Sequence, residues 1–419
     1  MMGIRGGTKA PGISGMRRLR KNAGNPAGKG SEAVNSAGSV LRDFFKKGDM
    51  LLLSLCCGST LYGILLIASA THSTGSLRYV IIQAAALVLG VFLFAFFTFL
   101  DLDPILERWR WIFLFNVIFI ASLFVFGVEG GTGNRSWLRP SWFPVGIQPA
   151  EVVKITFILL MARQMSYLKS WGISSPGSVF QMGAHVLFMA GLIYAASKDA
   201  GMVLVYLFIF LAMAFAAGVK LRWFILAFAA GGGGFAAAWI KGWIPEYMRN
   251  RILVIFDHSL DPLGIGWQQN RSVLALGSGG LTGQGLFHGT QTQKASTTAL
   301  PAKHTDFIFS VAGEELGMIG CVLIIILLAA VVIRCIYVAV NAKDDFSALI
   351  CVGIAGMLIF QIVENIGMCL FLTPVIGLTL PFFSYGGTSI VSLFAAMGII
   401  SGVKMRSLPR WLRGRNDRR

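Results

Sequence analysis

Charge is scarce in this sequence, and negative charge scarcest of all. Asp, Glu, Lys and Arg make up 13% of 419 residues, 19 carboxylates stand against 36 Lys and Arg, and 55% of the chain is apolar. With a mean hydropathy of +0.70, such a chain cannot wrap charge around a water-soluble core, so a soluble globular protein is excluded. The six cysteines, Cys56, Cys57, Cys321, Cys335, Cys351 and Cys369, fall inside or at the edge of apolar runs. They form no disulfide framework and read as small packing residues. Five histidines show no metal-ligand spacing, which excludes structural zinc. About 50 mostly polar residues precede the first apolar run, so no cleavable signal peptide is expected.

Long apolar runs are what the sequence has instead. Leu51–Ala70, Tyr79–Leu100, Trp111–Val128, Val179–Ser197, Met202–Val219, Trp223–Ile240, Phe307–Ile333, Phe346–Leu372 and Phe383–Val403 each suffice to span hydrocarbon. Val152–Met161 adds a tenth, with Glu151 and Lys154 at i and i+3, where they neutralise each other on one helical face. The predicted fold is all-α: a polytopic membrane protein of about ten transmembrane helices. An even number of crossings puts both termini on one side, and 25 of the 36 Lys and Arg fall there, so both termini are predicted to be cytoplasmic. Outside the long outer segment, Arg78, Arg135, Arg139 and Lys198 oppose that rule. The expected organisation is a basic, disordered cytoplasmic tail over residues 1–44, a membrane domain over 45–405 and a basic cytoplasmic tail over 406–419. A large extracellular loop, 241–305, separates helices 7 and 8. The same asymmetry accounts for the net charge of +17. The amino-terminal tail lacks interleaved aromatics, so the expected contact is anionic lipid and not nucleic acid.

Two outer segments, Glu129–Pro149 and Lys241–Thr305, are too long to be mere connectors. Within the second, Leu276–Gly285 alternates glycines with apolar anchors, as a loop packed on the membrane surface would; an external lid without chemistry fits equally. Gly231–Gly234 interrupts an apolar span, either for close helix packing or to make the seventh helix mobile. Ionisable residues cluster at the eighth helix, where Asp306, Ser310, Gly313 and Glu314 would share one stripe, with Glu315 beside it. Glu314 is expected to lie about 12 Å deeper than Asp306. Gln361, Glu364 and Asn365 share a face of the ninth helix. Phe383–Ser389 opens the tenth with backbone N–H groups that either hold an anion such as pyrophosphate or simply cap the helix. Asp306 itself reads as a catalytic base or as a helix cap.

These residues carry a resemblance. Pro301-Ala-Lys-His-Thr-Asp-Phe-Ile-Phe-Ser-Val-Ala-Gly-Glu-Glu-Leu-Gly317 resembles the signature of the SEDS family of shape, elongation, division and sporulation proteins, the RodA, FtsW and SpoVE group. Gln148-Pro-Ala-Glu-Val-Val-Lys154, Ala275–Leu286 and Pro374–Ser389 agree in family order, and Asp261-Pro-Leu-Gly-Ile-Gly-Trp267 is similar to the RodA branch. Departures occur at Ser197-Lys-Asp-Ala-Gly-Met202, at Gly133-Asn-Arg-Ser-Trp137, where Arg135 is retained, and at Lys294–Ala299. The resemblance implies a peptidoglycan glycosyltransferase that polymerises lipid II at the outer face of the bacterial cytoplasmic membrane, alongside a class B penicillin-binding protein. It implies Asp306 as the essential residue. Expected substrate contacts are Arg135, Glu151, Lys154, Asp199, Arg251, His304, Thr305, Glu314, Gln361, Asn365, Ser384, Tyr385, Gly386 and Gly387.

The chemistry has a rationale apart from the resemblance. Outside the cell there are no nucleotide sugars, so the donor must be activated by a membrane-anchored pyrophosphate. Asp306 as general base would deprotonate the acceptor hydroxyl, and Arg135, Lys154, Arg251 or a divalent cation, Mg or Mn, would stabilise the leaving group. A flippase would show inverted repeats, of which none is evident between the two halves. A noncatalytic scaffold would survive loss of Asp306.

Overall fold

The computed structural model describes residues 42, 44–73, 75–129, 134–139, 146–254, 256, 257, 265–293 and 300–407. Most of the basic amino-terminal tail, residues 408–419 and the motif positions 133, 261–264 and 294–299 lie outside the described residues. The chain divides into two units, 1–46 and 47–419, and the second is the membrane domain described below.

Its elements are almost all helical. In chain order they are α1 (Met50–His72), α2 (Arg78–Phe99), the short α3 (Asp103–Glu107), α4 (Trp109–Phe126), α5 (Pro149–Lys169), α6 (Pro176–Ser197), α7 (Ala200–Ala217) and α8 (Leu221–Ile240). They continue with α9 (Glu246–Leu253), α10 (Ile265–Gly279), α11 (Ile308–Val340), α12 (Asp345–Cys369) and α13 (Gly387–Arg406). Two short strands, β1 (Gly127–Val128) and β2 (Trp137–Leu138), pair antiparallel. Local chemistry sets many of the boundaries. Proline opens α5 and α6, where its missing N–H costs nothing. Asp199 and Asp344 cap α7 and α12 by accepting N–H bonds from Met202 and Ser347, and Gly218 closes α7 in the left-handed region.

Among the described residues nine helices are long and apolar enough to cross a bilayer. The predicted tenth, α5, is a full 21-residue helix, longer at both ends than the apolar run Val152–Met161. It packs on α4, α6, α7, α12 and α13, and most of its residues are buried. That protein-lined position explains how it carries a buried ion pair, Lys154 Nζ to Glu151 Oε1 at 2.9 Å. Around the periphery, Phe92, Val125, Phe180 and Phe215 are exposed, as lipid-facing side chains must be. α2 and α13 approach closely because glycines remove side chains from their seam: a Cβ on Gly398 would meet the Phe94 carbonyl at 2.6 Å.

One end of the bundle is fastened by a buried carboxylate. Asp49, fully buried ahead of α1, accepts from Arg334 Nε at 2.9 Å and Nη2 at 3.1 Å, and lies 3.3 Å from Lys404 Nζ. Its own N–H donates to Ser401 Oγ. It thereby ties α1, α11 and α13 together, with two cations compensating one buried anion.

The eighth span departs from expectation. Gly317 has φ 68° and ψ −162°, a conformation confined to glycine, so α11 is two helices, 308–316 and 318–340. In a straight helix Phe309 and Cys321 would be about 18 Å apart; here Cys321 Sγ lies 3.8 Å from the Phe309 carbonyl. The first segment therefore folds back on the second, and Ser310, Gly313 and Glu314 all lie ahead of the break, on that first segment. Asp306 precedes the helix, in a run of turns over 301–307.

The glycine-rich stretch supplies what the break needs. N–H groups of Gln284 and Gly285 donate to the carbonyls of Glu314 and Glu315, and those of Met318 and Ile319 donate to the carbonyls of Gly280 and Leu281. Backbone groups freed by the break are thus paired away from lipid. A Cβ on Gly283 would sit 2.2 Å from the Glu315 carbonyl, and one on Gly317 2.4 Å from the Gly283 nitrogen. The run Gly231–Gly234 behaves differently: α8 has no buried residue, and nothing lies within 4 Å of where a Cβ would stand at any of the four. Close packing within this chain does not explain it.

Gly317→Ala is expected to destabilise the fold by about 3 kcal/mol through left-handed strain and backbone collision. Gly233→Ala should be neutral or stabilise α8 by up to about 1 kcal/mol. Thermal unfolding of both variants in detergent checks this, and equal midpoints would refute the assigned difference.

Candidate functional site

Asp306 sits where three loops and two helices converge at the end of the bundle opposite Asp49. Its backbone carbonyl accepts from Asn365 Nδ2 on α12 at 2.8 Å, and the same amide donates to the Leu378 carbonyl at 2.7 Å. Asn365 therefore joins the turn before α11 to the loop before α13. Ser384 Oγ donates to the Thr305 carbonyl at 2.6 Å and the Tyr385 N–H donates to the His304 carbonyl at 2.9 Å, which fixes the turn from its other side. Gly377, in the left-handed region, passes under the carboxylate, and a Cβ there would lie 3.7 Å from Asp306 Oδ2.

Asp306 is not the helix cap. The N-cap of α11 is Phe307, with no side-chain capping bond, and Thr305 Oγ1 donates back to the Ala302 carbonyl. The Asp306 side chain keeps part of its surface open. Burial raises its pKa to about 6, against the lowering effect of the Thr305 hydroxyl, and the nearby Asp199 carboxylate raises it further. Asp199 is also pushed up by burial, while bonds from the Met202 N–H and the Ser136 hydroxyl oppose the shift. A Cβ on Gly201 would lie 2.8 Å from the Ile376 carbonyl, so the start of α7 and the Gly377 loop are in direct contact.

Beside Asp306 stands an aromatic cluster. His304 lies 4.7 Å from Tyr79 and 5.7 Å from Tyr385 between ring centroids, and the two tyrosines are 5.1 Å apart. Burial and the Lys303 cation lower the His304 pKa. Burial raises that of Tyr385, with Tyr79 adding to it and the charges of Arg78 and Arg139 opposing. Sugar faces stack on such rings, and the two arginines bring positive charge to the same place. Tyr79, Arg78 and Arg139 were not predicted as site residues. A signal was present: both arginines run against the charge asymmetry of the chain, which function can require where topology does not.

Several predicted contacts hold the structure together instead of facing a ligand. Glu314 accepts from the N–H groups of Gln291 at 2.6 Å and Thr292 at 2.8 Å, and from the hydroxyls of Thr290 and Thr292. Glu315 accepts from Ser69 Oγ at 2.5 Å and Gln293 Nε2 at 2.8 Å. The two carboxylates thus anchor residues 290–293 against the broken helix. Of the expected cradle at Ser384, Tyr385, Gly386 and Gly387, the N–H groups of the first three are taken by Leu380, His304 and Gln83. Lys154 is sealed against Glu151. Arg135 is exposed, 3.7 Å from Glu129, and its N–H bonds the Ser197 carbonyl, one residue from the Ser136 that holds Asp199. Arg251 is half-buried on α9. Gln361 is buried on α12 one turn below Asn365. Among the described residues no three His, Cys, Asp or Glu side chains form a metal-binding group.

A bundle of apolar helices with a partly open carboxylate, clustered aromatics and arginines at one end defines a polytopic membrane protein with a polar site at its surface. Residues 49–408 match the family model FTSW_RODA_SPOVE, described as cell cycle protein, and the chain belongs to that family. It is 31% identical over 315 residues to the peptidoglycan glycosyltransferase MrdB of Escherichia coli strain K12, covering 71% of this chain and 78% of that protein. It is 32% identical over 368 residues to the stage V sporulation protein E of Bacillus subtilis strain 168, covering 86% and 97%. A chain solved in work on how a peptidoglycan synthase complex coordinates polymerization and crosslinking superposes with TM-score 0.72 at 28% identity, over 85% of this chain and 97% of that one. The rod shape determining protein RodA of Thermus thermophilus superposes with TM-score 0.63 at 26% identity, over 86% and 98%. The protein is a multi-pass protein of the bacterial inner membrane.

Glu314→Gln is expected to loosen the anchored loop. Amide hydrogen exchange at Gln291 and Thr292 should quicken on the order of tenfold or more, the loss of charge-assisted bonds. Unchanged exchange at both amides would remove the anchoring role.

Proposed function

We propose that the protein is a peptidoglycan glycosyltransferase that polymerises lipid II at the outer face of the membrane, with Asp306 as general base. The family and the curated relatives named as peptidoglycan glycosyltransferases support the reaction class. The observation that carries the residue assignment is the state of Asp306: uncapped, partly open, held by its backbone, with proton affinity raised to about pH 6. A base poised near working pH combines the ionised form with a useful driving force for proton transfer.

In this reading both termini and the Asp49 cluster are cytoplasmic and Asp306 faces outward. An acceptor sugar stacks on Tyr79, His304 and Tyr385, and its hydroxyl meets Asp306. As that oxygen attacks the donor anomeric carbon, its proton passes to the carboxylate, the bond to the lipid diphosphate breaks and the configuration inverts. Negative charge gathers on the departing diphosphate, and Arg78, Arg135 and Arg139 lie at this end of the bundle to stabilise it. The likeness to a chain from a synthase complex supports a class B penicillin-binding protein as partner, which would crosslink the strands made here.

Asp306→Asn is expected to reduce polymerisation of purified lipid II to background while the protein still folds and copurifies with the penicillin-binding protein. Glycan products at the wild-type level would defeat the assignment. The wild-type rate should also show an acid limb. A raised pKa means that Asp306 is protonated below about pH 6, so the base is available above that value and lost as pH falls through it. A rate flat from pH 5 to pH 7 would show that Asp306 does not titrate in the rate-limiting step.

A further inference from the structure

One turn of α12 next to Asp306 carries more hydrogen-bond acceptors than the described residues supply donors for. Glu364 is 5% exposed, and neither of its carboxylate oxygens has a hydrogen-bond partner among the described residues. Gln361 and Asn365, 1% and 0% exposed, share its helical face, and the oxygens Gln361 Oε1 and Asn365 Oδ1 are likewise unpartnered. The orientation of the Asn365 amide is settled by chemistry, since its nitrogen donates to two carbonyls, those of Asp306 and Leu378. Gln269 on α10 repeats the pattern: its nitrogen donates to the carbonyls of Met368 and Thr373, leaving Oε1 unpartnered. Thr373 in turn donates to the Glu364 carbonyl, so Gln269 lies beside the same turn. Glu364 and Asp306 are within electrostatic reach of each other.

A buried carboxylate without donors is costly, and two carboxylates beside each other more so. Buried acceptors in such excess call for positive charge. The unpartnered atoms are carboxylate and amide oxygens, and the nearby Cys369 thiol is turned to the Asp306 carbonyl at 4.0 Å, which suits a hard cation that keeps part of its water shell. We propose that Glu364, with Gln361 and Asn365, forms a binding site for a hydrated divalent cation of the magnesium class beside Asp306. The site deepens the transferase reading, because a cation there would offset the charge of the departing diphosphate. Binding itself does not depend on that reading.

The test uses the full chain in lipid nanodiscs, titrated with Mn2+ and followed by the electron paramagnetic resonance signal of the free ion. Wild-type protein should take up one Mn2+ per chain above the background of empty nanodiscs. Glu364→Gln should weaken that binding at least tenfold, with midpoint of thermal unfolding in excess Mg2+ recorded as a second readout. Gln361→Leu, which keeps the carboxylate, should weaken it less and guards against a folding defect in the first variant. Equal Mn2+ affinity in wild type and both variants, or no uptake above background by wild type, overturns the site. Neither result bears on Asp306, whose role is judged on glycan product.

Discussion

A helix interrupted inside a bilayer must find partners for the backbone groups it releases, and the architecture of this protein is organised around one such interruption. At Gly317 the eighth span reverses, and residues 280–285 provide acceptors and donors to both broken ends. Because lipid offers neither, those loop residues cannot be replaced by solvent. The consequence reaches well beyond the bend. The reversal frees the short helix 308–316 to lie against the longer one, and so sets the position of the turn that carries Asp306.

Around that break the ionisable residues divide by whether their bonding is complete. Glu314, Glu315, Lys154 and Asp49 have partners at short distance and hold segments together. Asp306 and Glu364 differ from these: one keeps part of its surface open, and the other is buried with no donor among the described residues. In a low-dielectric setting completed pairs are rigid and chemically quiet, whereas incomplete ones hold electrostatic tension that a substrate or ion can relieve. The division does not follow residue type, since carboxylates stand on both sides of it.

On the proposed reading, stability and function pull against each other at Asp306. A carboxyl whose folded pKa exceeds its unfolded value binds protons more tightly when folded, so between about pH 4 and pH 6 its contribution to stability falls as pH rises. At neutral pH the ionised form is held at a cost that the surrounding bonds to Asn365, Ser384 and Tyr385 offset. Those bonds all reach the backbone of residues 304–306, which leaves the carboxylate itself unconstrained by capping.

Membrane class and the apolar spans were legible in the chain, because hydropathy and helix length are local properties and a bilayer rewards them directly. The ion pair of Glu151 and Lys154 was legible for the same reason, being set by helical spacing. The reversal at Gly317 was not, since a single glycine in an apolar run looks the same whether it packs, bends or breaks. Nor were the partners of Glu314, twenty or more residues away, the meeting of Tyr79 with His304 and Tyr385, or the want of a donor to Glu364 among the described residues. Periodicity tells which residues share a face; only tertiary packing decides which of those faces find a donor, because hydrogen-bond satisfaction in a lipid interior depends on what distant segments bring to it.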